Sequence, residues 1–118
     1  MIKQIETPAD ILGLEMSGKL KKEDFDKMKP LLEEHQKEKG SIKLLVIYHE
    51  FEWPTTEALK EDLKSYYNYD FEKIAFVSNT KLLREAADNV LSIMPGELQW
   101  KGFEPGEKKQ AINWLQNA

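Results

Sequence analysis

The sequence contains no cysteine. That excludes a disulfide, a thiolate zinc site, an iron–sulfur cluster and a cysteine nucleophile, and it makes a cytoplasmic location the default expectation. Arginine is nearly as scarce: of seventeen basic residues only Arg84 is one, and the net charge is −4. Arginine is the side chain best suited to bidentate contacts with phosphate or guanine, so nucleic acid is not an expected partner. Lysine-rich pieces such as "GKLKKEDF" alternate with acids, which describes a solvated helix face rather than a phosphate-binding patch.

No apolar run approaches the roughly 20 residues needed to span a bilayer, and a soluble protein is expected. The opening "MIKQIETPAD" lacks the basic start and long apolar stretch of a signal peptide. Internal repeats and low-complexity tracts are absent, so the expectation is one domain over residues 1–118. Missing too are a glycine-rich phosphate loop, a G-x-S-x-G elbow and an H-E-x-x-H pair. His49, Glu50 and Glu52 offer nitrogen and oxygen donors, but without a second histidine or a defined spacing they make a weak metal signal. No enzyme activity, metal or cofactor is expected.

What is present is an ordinary globular mixture, 41% hydrophobic and 32% charged, ordered into alternating strand-like and helix-like segments. "MIKQIE" and "ILGLEMSG" flank a turn at "TPAD" and suit an N-terminal hairpin. From Lys22 to Lys39, Phe25, Met28, Leu31, Leu32 and His35 recur at helical spacing, with Gly40 where a C-cap glycine belongs. "IKLLVIY" is a continuous apolar run, as expected of a strand covered on both faces and central to a parallel sheet.

A helix follows over 54–67, then the strand "KIAFVS". A further helix is expected from Asn79 or Thr80, ending at "MPG", then a strand in "ELQWKGF" and a last helix from Pro105 or Glu107 carrying Ala111, Ile112, Trp114 and Leu115. The order ββαβαβαβα predicts an α/β sandwich, with a mostly parallel mixed sheet of about five strands and about four helices.

The order of elements, together with "SGKLKKEDFDKMKPLLEE", "IKLLVIYHEFEWPTTEALKEDLKSY", "DFEKIAFVSNTKLLREAAD" and the final "AINWL", resembles the SpoIIAA-like family, a branch of the STAS-type domains also compared with the lipid-carrying CRAL-TRIO (SEC14) fold. The resemblance spans nearly the whole chain. Two departures stand out: Lys21 replaces a threonine at the start of the first helix, removing an acceptor worth about 1 kcal/mol, and Leu82 and Leu83 stand where relatives carry a tryptophan. Glu23 and Asp24 are expected to offset the first through the helix dipole.

The resemblance implies ligand binding, regulated protein interaction or reversible association with a membrane surface. Thr55 and Thr56 lie where STAS antagonists of anti-sigma factors carry a phosphorylatable hydroxyl, and a phosphate there would meet helix N-terminal amides. Pro54, Glu57 and the capping ability of either threonine also account for these residues as a helix start. His35, on an apolar helix face, is expected to pack near the helix end. His49, at the end of the central strand, is the best placed base, since open α/β sheets bind ligands beyond their strand ends.

The aromatics give the sharper functional expectation. Phe51, Trp53, Leu59, Leu63 and Tyr67 are expected to line an apolar pocket beneath the 54–67 helix that takes a lipophilic small molecule. An acidic chain without a polybasic patch would associate with a membrane through inserted aromatics such as Trp53. The alternative is a STAS-like module that binds a protein partner through the same surface, with or without phosphorylation at Thr55 or Thr56.

Overall fold

A computed structural model describes residues 1–52, 69–78 and 99–117. The expected helices over 54–67 and from Asn79 or Thr80 fall outside them. The described elements are β1 (Ile2–Ile5), β2 (Leu12–Lys19), α1 (Lys22–Lys39), β3 (Ile42–Glu52), β4 (Phe71–Ser78), β5 (Gln99–Phe103), a 3-10 turn (Pro105–Glu107) and α2 (Lys108–Gln116). The strands form one sheet in the order β1-β2-β3-β4-β5. β1 is antiparallel to β2, and every other pairing is parallel. "IKLLVIY" is therefore the central strand, as its unbroken apolar character required.

Register explains how one apolar run serves two faces. Leu12, Leu44, Ile74 and Trp100 are paired across the sheet, as are Leu14, Val46 and Phe76. These rows pack with Phe25, Met28 and Leu32 of α1 in one core. The alternate residues Leu45, Ala75, Val77 and Phe103 pack with Ala111 and Leu115 of α2 in a second core on the opposite face. Leu14, Leu32, Leu45 and Leu115 are wholly buried, and burial of each such side chain contributes about 1.5–3 kcal/mol. Side chains alternate along a strand, so a strand buried on both faces cannot show polar alternation.

Local chemistry fixes the ends of α1. Lys21 offers no side-chain cap, but its backbone N–H donates to Asp24 Oδ2 at 2.8 Å, so Asp24 supplies a direct bond as well as a favourable dipole charge. At the other end Gly40 has φ +85° and donates its N–H to the Gln36 carbonyl, a conformation open to glycine. Gly13 answers to space instead: an added Cβ would lie 2.4 Å from Thr7 Cγ2 and 2.9 Å from Ile5 Cγ1. This close approach lets the β1–β2 turn fold back onto the sheet, where Thr7 Oγ1 donates to the Ile11 carbonyl at 2.6 Å.

Candidate functional site

The sheet is irregular at the C-terminal ends of β2 and β3. Between Ser17–His49 and Lys19–Glu52 the β2–β3 register gains one residue on β3. Glu50 absorbs it at φ +49°, and Gly18 on the facing strand has φ +67°. A bulge of this kind re-aims the side chains around it. The Tyr48 hydroxyl donates to the Gly18 carbonyl at 2.7 Å and so ties the two strands at the irregularity. Burial, reinforced by Asp24 and Glu52, pushes the Tyr48 hydroxyl up to about 12, so it acts as a neutral donor.

Beside this edge lies a cleft of about 400 Å³. Ile47 and Val77, paired in register, contribute its apolar lining together with Pro105, and its polar groups come from Glu15, His49, Ser78 and Lys108. Lys3 of β1 lies 3.2 Å from Glu15 Oε1, while His49 Nε2 lies 3.6 Å from Glu15 Oε2. Glu15 thus sits between two basic groups; the hydrogen bond from Lys3 is the main cause of its lowered pKa, opposed by burial and helped by His49. The His49 side chain is 56% exposed. It faces a carboxylate on one side and solvent on the other.

A second, shallower concavity of about 510 Å³ lies at the opposite end, between the β1–β2 turn and the last turns of α1, with His35, Thr7, Pro8 and Lys39 in its walls. His35 is buried, as expected, and its Nε2 has no hydrogen-bond partner among the described residues. Desolvation lowers its pKa, while the Asp10 backbone acts to raise it.

Of the residues expected to form a site, His49 borders the cleft and Phe51 belongs to β3, which runs to Glu52. Trp53, Thr55, Thr56, Leu59, Leu63 and Tyr67 lie outside the described residues, so the structure neither joins nor separates them. Glu15, Lys3 and Lys108 were not singled out from the sequence. Among the described residues no group of three or more His, Asp or Glu side chains is arranged to hold a metal ion, and no helix is long and apolar enough to cross a membrane.

Comparison with known proteins places this architecture. A family model described as SpoIIAA-like matches residues 11–116. The chain belongs to the SpoIIAA-like family. The crystal structure of an uncharacterised protein of the DUF3478 family from Shewanella loihica PV-4, with a SpoIIAA-like fold, superposes with a TM-score of 0.71 at 24% identity, covering 98% of this chain and 92% of that one. At that identity the likeness establishes the fold alone. No curated protein matches significantly. The SpoIIAA-like match begins at Ile11, so it takes in the parallel strands and both described helices but leaves out β1, the strand that brings Lys3 to Glu15.

Proposed function

We propose that this SpoIIAA-like chain is a non-catalytic binding module whose ligand site is the cleft at the C-terminal ends of the parallel strands, that it takes a lipophilic small molecule there, and that it associates reversibly with a membrane surface. The observation that carries this reading is the cleft itself: an apolar lining of Ile47, Val77 and Pro105 with a few polar groups set around it. Small-molecule sites likewise combine apolar walls with placed polar groups, and the cleft's volume lies in their usual range. Ligands of open α/β sheets bind beyond the carboxyl ends of the strands. β3 extends along this edge to Glu52, and Trp53, the aromatic most suited to an interface, is the next residue in the chain.

The net charge of −4 gives little attraction to anionic lipids, so membrane association on this reading rests on apolar insertion. Liposome flotation, and tryptophan fluorescence with and without fatty acids, test it. The expected result is co-flotation with a spectral shift that Trp53→Ala abolishes; absence of both flotation and shift refutes the reading.

Family membership favours a second reading, a protein-interaction module controlled by phosphorylation of Thr55 or Thr56. A phosphate found on either threonine by mass spectrometry after incubation with a cognate kinase, with loss of a captured partner on phosphorylation, would support it over the first.

A further inference from the structure

Among the described residues that line the cleft, the charged or titratable groups are Glu15, His49 and Lys108, and the carboxylate is already engaged. Glu15 accepts from Lys3 at 3.2 Å and faces His49 Nε2 at 3.6 Å. When His49 is neutral with its proton on Nε2, Nδ1 is left as an acceptor. Protonation makes Nδ1 a second donor, while Glu15 remains on the other side of the ring to stabilise the imidazolium. Lys108, the first residue of α2, also lines the cleft, and its ammonium adds to the positive end of that helix. Glu107, beside it, accepts from the Glu104 N–H at 2.9 Å and is directed into the 3-10 turn. Among the described residues, Glu15 from β2, His49 from β3 and Lys108 from α2 line the cleft, and Lys3 from β1 acts on it through Glu15.

We infer that the cleft receives the anionic end of its ligand, an oxyanion such as a carboxylate, sulfonate or phosphate placed between Lys108 and His49, and that protonation of His49 tightens the hold. This rests on the reading of the cleft as a ligand site and adds to it the chemical class of the ligand and its dependence on pH. A unit charge about 4 Å from another in water changes an affinity roughly five-fold. Binding should therefore strengthen about that much when His49 is protonated.

The test uses probes that share an alkyl chain and differ at the head: decanesulfonate, decanol and decyltrimethylammonium, with methanesulfonate and inorganic phosphate as chainless anions, titrated by calorimetry at about pH 5.5 and pH 8. Sulfonate stays ionised throughout, so any pH dependence belongs to the protein. Decanesulfonate should bind most tightly and about five-fold better at the lower pH. His49→Gln should abolish that pH dependence, and Lys108→Gln should weaken binding about five-fold at both; both residues are exposed, and circular dichroism checks that the variants are folded.

Equal binding of sulfonate, alcohol and ammonium probes would overturn the inference while leaving the lipophilic site in place. Binding of the chainless anions as tightly as decanesulfonate would support the oxyanion and overturn the lipophilic reading. No binding by any probe would overturn both, and an unaltered pH dependence in His49→Gln would remove the histidine from the account.

Discussion

Lys73→Met tests the least expected contact in the structure. Lys73 is only 5% exposed in the interior of β4. Its Nζ donates to the carbonyl of Trp114 at 2.9 Å and to that of Asn117, and it lies 4.9 Å from the centre of the Trp114 ring. Trp114 is among the last four residues of α2, whose carbonyls have no partner within the helix, and a cation there also meets the negative end of the dipole.

Methionine keeps most of the stem's packing but deletes the charge. Two charge-assisted bonds are lost, each worth about 1.5–3 kcal/mol, while the several kcal/mol spent desolvating a buried ammonium are regained. These roughly cancel. What remains is the penalty on the Trp114 carbonyl, about 1–3 kcal/mol for an unpaired buried acceptor, since Asn117 is exposed and its carbonyl can return to water. The expected destabilisation is about 2 kcal/mol. For a chain of 118 residues this is roughly 8 °C in Tm, at about 2.1 cal/mol/K of unfolding entropy per residue. Urea denaturation followed by tryptophan fluorescence should show a lower midpoint at unchanged slope, with faster amide exchange in α2. A variant as stable as the parent, with α2 equally protected, would refute the idea that the ammonium anchors this helix.

His35 has a lowered pKa in the folded chain, so the unfolded chain binds the extra proton first; stability should be full above about pH 6.5 and fall as pH drops toward the folded value, and His35→Gln should flatten that slope in denaturant midpoints measured between about pH 5 and 8. Tyr48 has the opposite sign: its folded pKa of about 12 against an ordinary 10.0 gives a contribution that is complete below pH 10.0 and is lost as pH rises toward 12, a loss that Tyr48→Phe should remove from an alkaline titration of stability. Pro30, exposed inside α1, lacks the N–H that a helix interior uses; Pro30→Ala should raise stability by about 1–3 kcal/mol in urea. Gly13→Ala should destabilise by about 1–3 kcal/mol through overpacking against Thr7 and Ile5, and co-substitution of Thr7→Ser, which deletes the nearest methyl, should recover part of the loss.

The scaffold was legible because its signals are local. The 22–39 periodicity, Gly40, the apolar run of the central strand and the hairpin turn each lie within one element, and the structure forms each at the expected place. Lys73 was missed although the signal was present. Alternation along "FEKIAFVS" puts it on the same face as Ala75 and Val77, which are buried, so a lysine there had to find acceptors at its tip. Lys21 supplies no side-chain cap, as the sequence predicts, and the compensation by Asp24 is a direct hydrogen bond as well as a dipole charge.

The cleft was illegible for a different reason. Its lining comes from β2, β3, β4, the 3-10 turn and α2, segments spread along most of the chain, and no spacing in sequence joins Glu15, and the Lys3 that holds it, to His49 and Lys108. What joins them is topology. The antiparallel pairing sets Lys3 opposite Glu15, the parallel pairing carries His49 two residues beyond Ile47, the partner of Glu15, and the turn after β5 returns α2 to the same face. A sequence reading ranks His49 by position alone and cannot see that its neighbour is a carboxylate already held by a lysine. On the proposed reading that neighbour decides the chemistry: an isolated Glu15 would favour a cation in the cleft, whereas a Glu15 engaged by Lys3 leaves Lys108 and the protonated form of His49 to select an anion.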